Sequence, residues 1–230
     1  WQTMPFTEEV KDRDPRLAQS IRTPGYKRIG AKRVQGPDLG VTITGYQPIK
    51  FVQDTTASGG QIDRNDRSTC DMPVFRYAEV LLNYAEAKAE LGSLSDDDLN
   101  ITINEIRSRV GMPALTMKYL HDKQPDWYLS SEEYGYPNVT GSNEIVNAIL
   151  EIRRERTVEL IQEGFRLQDL YRWKAGYCID QAISGMYFPG PGEYKLAGKE
   201  TADLILYAAG STKPQGGEGV SVYELGSDII

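Results

Sequence analysis

Histidine is nearly absent from this 230-residue chain, in which His121 stands alone. Cysteine is almost as scarce: Cys70 and Cys178 are the only two, and neither lies in a Cys-x-x-Cys pair. These scarcities remove the Ser-His-Asp and Cys-His nucleophile arrangements, the thioredoxin-like reading and any thiolate or imidazole metal cage. The two cysteines allow one disulfide at most, which sequence alone leaves undecided. No Lys/Arg block stands apart, and the net charge is -7, so the basic patch that a nucleic-acid partner needs is missing. No run of about 18 apolar residues occurs, so no segment reads as a membrane-spanning helix. Nor do Gly-x-Ser-x-Gly, Walker-type or Gly-x-Gly-x-x-Gly motifs appear. No signal peptide opens the chain. Residue 1 is Trp rather than Met, which reads as an interior piece of a longer product.

What the chain does have is the composition of a globular domain. Hydrophobic residues make up 40% and charged residues 26%, which excludes disorder throughout. Tyrosine is plentiful, at 14, and many of its rings fall in Gly/Pro-rich stretches rather than in helical patterns. A tyrosine ring offers an apolar face and a polar tip, so it serves equally under a loop or at a binding surface.

The order of elements points to one mainly α-helical domain over 1–230. Residues 1–73 are loop-rich, punctuated by Thr23-Pro24-Gly25, Gly36-Pro37-Asp38 and Gly59-Gly60, with strand-like runs at Val41-Thr42-Ile43 and Ile49–Val52. Asp14-Pro15 reads as the cap and first turn of a short helix. Residues 74–111 form a tetratricopeptide-like helical hairpin. Its first helix, 74–91, places Tyr77, Leu81, Tyr84, Ala85 and Leu91 on one stripe, with Ala78, Ala85 and Ala89 allowing close approach. Its second helix runs from about Asp97 to Val110, with Asp96-Asp97-Asp98 at its start and Gly111-Met112-Pro113 at its end. A single such hairpin needs further helices to cover its faces. Residues 112–143 form a long loop carrying Trp127, Tyr128, Tyr134 and Tyr136. Residues 144–176 return to helix, interrupted near Gly164, and 177–230 read as loops and short strands.

The densest charge cluster lies in the third helical block: Glu151, Arg153, Arg154, Glu155, Arg156, Glu159, Glu163, Arg166, Asp169 and Arg172. Glu155, Glu159 and Glu163 recur every four residues and so share one helix face. Stacked carboxylates repel unless cations neutralise them. Two uses compete. A carboxylate metal site of the helical di-iron kind needs Glu-x-x-His, which the chain lacks. A glycosidase pair needs a second carboxylate across a cleft, which one helix cannot supply. The alternative is a structural salt-bridge network. In it Arg156–Glu159, Glu163–Arg166 and Asp169–Arg172 pair at spacing three, Arg153 and Glu155 belong to the same network, and Arg76, Arg107 or Arg109 reach over from the other helices. No metal or cofactor is expected.

Four stretches carry a resemblance to the SusD/RagB family, in the family's order from about residue 12 to 175. They are Asp12-Arg13-Asp14-Pro15-Arg16-Leu17, Phe75-Arg76-Tyr77-Ala78-Glu79-Val80-Leu81-Leu82-Asn83-Tyr84-Ala85-Glu86-Ala87, Asn104-Glu105-Ile106-Arg107-Ser108-Arg109-Val110-Gly111-Met112, and Ile152–Leu160 followed by Glu163–Trp173. Two positions depart from the pattern: Thr157, where the family often has a basic residue, and Phe165, where it often has His. The resemblance implies a helical fold with tetratricopeptide-like hairpins. It implies a non-catalytic lipoprotein on the outer face of the outer membrane, partnered with a SusC-like TonB-dependent transporter and binding a glycan or, for some members, a peptide. The anchor cysteine and the N-terminal hairpins are not in this chain, and its abrupt end suggests further C-terminal residues. The shared motifs are structural, so no binding residue is carried over from them. Physical reasoning selects the exposed rings of the long loop, Trp127, Tyr128, Tyr134 and Tyr136, with Trp1 as a second candidate, because sugar C–H faces stack on aromatic planes. Trp173 is expected in the core. Three functions stay open: glycan capture for uptake, a tetratricopeptide-type scaffold for peptide or protein, and a glycosidase using Glu155 or Glu159.

Overall fold

The computed structural model describes residues 3–32, 34–38, 41–64, 66–71, 73–187, 194–198, 204–207 and 214–225. Trp1 lies outside them. In chain order the elements are α1 (Phe6–Glu9), α2 (Arg16–Ser20), α3 (Ala57–Gly60), α4 (Tyr77–Glu90), α5 (Asp96–Asn100), α6 (Ile103–Arg109), α7 (Met117–Asp122), α8 (Asn143–Glu159) and α9 (Arg166–Arg172). A 3-10 turn (Gly176–Ile179) and strands β1 (Tyr194–Gly198), β2 (Leu204–Tyr207) and β3 (Pro214–Leu225) follow. The fold is mainly α. The chain divides into two compact units, one formed by Trp1–Arg13, Leu17–Met72 and Ile183–Ile230, the other by Asp14–Arg16 and Pro73–Ala182.

The first unit holds few regular elements. Phe6 is fully buried at the start of α1 and meets the Tyr46 ring at 6.1 Å, while the Tyr46 hydroxyl donates to Glu9 Oε1 at 2.7 Å. The strand-like runs at 41–43 and 49–52 do not become strands. Turns centred on Asp38 take Val41 and Thr42, Ile43 is almost wholly exposed, and one isolated bridge joins Ile21 to Pro48. Alternating apolar residues make a strand only when a neighbour accepts their backbone bonds, and glycine and proline punctuation prevents that here. The three strands nearer the C-terminus form an antiparallel sheet in the order β1-β3-β2.

The second unit is built on α8, the longest helix, which packs against α4 and α7. Ser142 caps it by accepting from the Ile145 N–H. Leu82, Ala85 and Ala89 of α4, Leu99, Ile103 and Ile106 of α5 and α6, and Ile149 and Ile152 of α8 form one apolar core. The stripe read on α4 is rotated from expectation. Leu81, Leu82, Ala85 and Ala89 face inward, while Tyr77, Tyr84 and Leu91 are exposed. Tyr84 stays at the surface because its hydroxyl donates to Asp98 Oδ1 at 2.9 Å. The second arm of the hairpin is two short helices rather than one. A capping box between Ser95 and Asp98 starts α5, and the Thr102 hydroxyl then donates to the Asp98 carbonyl, ending that helix before α6 begins. The expected 112–143 loop also contains α7, which Thr116 caps through the Tyr119 N–H. Cys70 and Cys178 both carry free thiols.

Candidate functional site

Two constellations in the helical unit carry chemistry: a guanidinium–carboxylate network and a ring cluster. The network is arranged along α8. Glu155 is 1% exposed, with Arg16 at 2.9 Å from Oε2 and Arg107 against Oε1. The Arg16 contact is an ion pair without hydrogen-bond alignment. One turn on, Glu159 receives Arg76 at 2.9 Å and Arg109 at 2.8 Å, with Arg16 at 3.4 Å. Arg76 also bonds both oxygens of Glu163, at 2.6 and 2.8 Å. The cations that neutralise this carboxylate face therefore come from other segments, residues 16, 76, 107 and 109, and not from positions three residues away. Arg16 is itself oriented by Asp14, whose carboxylate accepts from its N–H, Nε and Nη2.

A second arm of the network surrounds Trp173, which is 2% exposed. The Asp169 carboxylate accepts from Arg156 Nε and from Arg172 Nη2 at 2.8 Å. Glu86 of α4 accepts from Arg172 at 2.7 Å and from the Trp173 indole N–H at 2.7 Å. Burial works to raise the Glu86 pKa, but the Arg172 guanidinium and the indole N–H outweigh it and hold the carboxyl below its ordinary value. Arg153 is clamped between the Tyr136 and Trp173 rings at 5.1 and 5.0 Å and reaches Glu90 at 3.2 Å. Arg166 stands outside this pairing. It donates to the Tyr136 hydroxyl at 3.0 Å and to Thr157 Oγ1 at 3.1 Å, and no described carboxylate pairs with it.

A cleft of about 740 Å³ opens beside this arm, between α4, α8 and α9. Glu86 pairs there with Arg172, Glu90 with Arg153 Nη2 and Asp169 with Arg156, while Arg153 Nε and Nη1 are buried without a hydrogen-bond partner among the described residues.

The ring cluster sits on the loop between α7 and α8, folded into two successive turns. Asp126 organises the first. Its Oδ1 accepts from the N–H groups of Tyr128 and Leu129, both at 3.0 Å, and its Oδ2 accepts from Arg154. Burial pushes the Asp126 pKa up, yet the Leu129 N–H and the Arg154 guanidinium hold it below the usual value. The second turn closes when the Gly135 N–H donates to the Ser131 carbonyl at 3.1 Å. Tyr136 then bonds back to the Leu129 carbonyl at 2.6 Å, joining the turns. Gly135 is required at this crossing, because a Cβ there would collide with the carbonyl oxygens of Tyr128 and Leu129. Leu129 and Tyr136 anchor the loop in a small core with Leu150, Leu170 and Trp173.

This folding separates the four rings. Tyr136 is 4% exposed and packs edge-on to Trp173 at 5.3 Å, so it is a core residue and cannot stack on a ligand. The other three reach the surface. Tyr128 and Tyr134 stack at 5.9 Å with planes 15° apart, and Trp127 meets Tyr128 edge-on at 5.9 Å while 76% exposed. An indole this open gains nothing from the core. The rings form an amphipathic platform suited to an apolar C–H face with hydroxyls at its rim. Sequence reading missed Asp126, which had a signal, an Asp two residues before a backbone N–H it can cap. It placed Arg166 in the salt-bridge network, whereas Arg166 bonds the hydroxyls of Tyr136 and Thr157 and no carboxylate among the described residues.

Among the described residues no group of three or more His, Cys, Asp or Glu side chains is placed to hold a metal ion, and no helix is long and apolar enough to cross a membrane. No curated protein and no solved structure matches the chain. The model of the SusD family matches residues 2–207, nearly the whole length. The helical unit, its arginine-neutralised α8 and the four sequence stretches quoted above all fall within that match, and the chain belongs to the SusD family.

Proposed function

We propose that this chain is a non-catalytic glycan-binding subunit of an outer-membrane uptake system. It captures oligo- or polysaccharide on the platform of Trp127, Tyr128 and Tyr134 and passes it to a SusC-like TonB-dependent transporter. Membership of the SusD family supports the nutrient-binding role, the transporter partnership and a lipid-anchored place at the cell surface. The observation that carries the ring site is the exposure of Trp127, on a loop held in shape by Asp126, Gly135 and the buried Tyr136. A platform built this way is pre-organised, so ligand binding does not have to order it. The glycosidase reading loses support from α8. Glu155 and Glu159 are buried and faced by guanidiniums, which suits structural anions and not a general acid that must reach a sugar oxygen.

The test is calorimetry of the full-length protein against a panel of polysaccharides and oligosaccharides, with Trp127→Ala and Tyr134→Ala alongside. Loss of about tenfold or more in affinity for each variant, with no released product, is the expected result for a central aromatic contact. Unchanged affinity in both variants would remove the ring platform as the site. Absence of binding to every glycan would direct the search to peptides.

A further inference from the structure

We propose that Ser131 is a positioning residue of the ring site, whose hydroxyl sets the Tyr128–Tyr134 stack so that the two rings meet a ligand as one unit. The inference rests on the ring-platform reading and deepens it. Tyr128 and Tyr134 are six residues apart, and no regular element makes neighbours of such a pair. On a helix they would point to different faces, and along a strand they would stand about 20 Å apart. Yet their centroids lie 5.9 Å apart with planes only 15° from parallel. Something has to reverse the chain between them and fix the two backbones against each other.

Backbone bonds supply the reversal. The Ser131 N–H donates to the Tyr128 carbonyl at 3.3 Å, and the Gly135 N–H donates to the Ser131 carbonyl at 3.1 Å. Neither of these bonds takes the Tyr134 N–H. That group donates to Ser131 Oγ at 3.1 Å, and the Ser131 hydroxyl in turn donates to the Tyr128 carbonyl at 2.8 Å. One hydroxyl thus spends a lone pair on one ring-bearing residue and its proton on the other. Tethers from elsewhere each reach one side of the pair. Asp126 accepts from the Tyr128 N–H at 3.0 Å, the Cys178 thiol lies 3.6 Å from the Tyr134 carbonyl, and the Tyr177 hydroxyl donates to the Gly135 carbonyl at 2.8 Å. Ser131 reaches both sides at once.

The consequence is specific to Tyr134. A sugar laid against a stack of fixed angle does not have to order the second ring, whereas a ring free to swing returns part of its contact energy as lost rotamer freedom. Trp127 is the sequence neighbour of Tyr128, and its edge-on contact at 5.9 Å joins adjacent residues without crossing the turn. Loss of the Ser131 hydroxyl should therefore remove what Tyr134 contributes to binding and leave what Trp127 contributes. The turn itself persists in Ser131→Ala, because its two backbone bonds do not use the hydroxyl.

The experiment uses the full chain. Maltohexaose, cellohexaose, xylohexaose and mannohexaose are titrated by calorimetry into the wild type, Ser131→Ala, Ser131→Thr, Tyr134→Ala and Trp127→Ala, and into Ser131→Ala combined with each ring variant. Ligand-free protein gives a second reading, the hydrogen-exchange rate of the Tyr134 amide, and thermal melting shows that each variant keeps its fold. Exchange should be about tenfold faster or more in Ser131→Ala, where the amide loses its acceptor, and close to the wild type in Ser131→Thr, which keeps the hydroxyl. For a hexaose that the wild type binds, affinity in Ser131→Ala should fall as far as in Tyr134→Ala, by about tenfold. Adding Ser131→Ala to Tyr134→Ala should then change affinity by less than about twofold, while with Trp127→Ala the two losses should multiply. A role in loop stability alone would not distinguish the two backgrounds. Unaltered exchange or affinity in Ser131→Ala, or losses that multiply with Tyr134→Ala, overturns the positioning role. If Trp127→Ala still weakens binding in that case, the ring platform stands without it. A wild type that binds none of the four hexaoses and nothing in the wider glycan panel overturns the platform and this role together.

Discussion

Replacing Glu86 by Gln isolates one of the joints that hold α4 to the end of α9. Two interactions are at stake. The Trp173 indole N–H is buried and donates to Glu86 Oε1 at 2.7 Å, and weakening its charged acceptor costs about 1–2 kcal/mol. The pair with Arg172 adds less, because that side chain is 48% exposed and keeps Asp169 as a partner, so about 0.5–1 kcal/mol is left after solvent screening. The sum is about 1.5–3 kcal/mol, which lowers Tm by about 3–12 °C in a protein of this size. Urea unfolding followed by far-UV circular dichroism reports the helical unit directly. The sign of the pH dependence follows from linkage. The folded carboxyl lies below its ordinary pKa, so the stability it contributes is present at neutral pH and disappears as pH falls through the depressed folded value. The gap between wild type and Glu86→Gln should therefore close in acid. A gap under about 0.5 kcal/mol at pH 7, within the range of ordinary surface substitutions, or one that does not change with pH, would refute this account of the joint.

Glu155→Ala is expected to be more damaging, by about 3–5 kcal/mol, because it leaves Arg16 and Arg107 in a buried site without their carboxylate. Denaturant midpoints read this, and Arg107→Ala in the Glu155→Ala background should cost less than it does alone. Gly135→Ala is expected to spare the helical core yet separate the two turns of the ring loop. Glycan affinity should then fall about as far as in Trp127→Ala, with far-UV circular dichroism unchanged. Retained affinity would show that the platform does not depend on that crossing.

The sequence by itself determined a good deal. The helical periods read over 74–91 and from 144 onward, and the gathering of charge on α8, follow from local spacing, which needs no distant partner. The single histidine and the isolated cysteines excluded whole classes of chemistry before any fold was known. Other features could be decided only in three dimensions. Periodicity names an apolar stripe but not the neighbour it meets, so only packing against α8 settled that Leu82 and Ala85 turn inward while Tyr77 and Leu91 do not. Arg76, Arg107 and Arg109 could be named as candidates for Glu155 and Glu159, but the part of Arg16, and which carboxylate each guanidinium meets, depend on how the segments pack. Four rings of one loop looked equivalent as residues. The crossing at Gly135 buried Tyr136 and left Trp127 outside, because burial is a property of where the chain returns and not of the side chain itself.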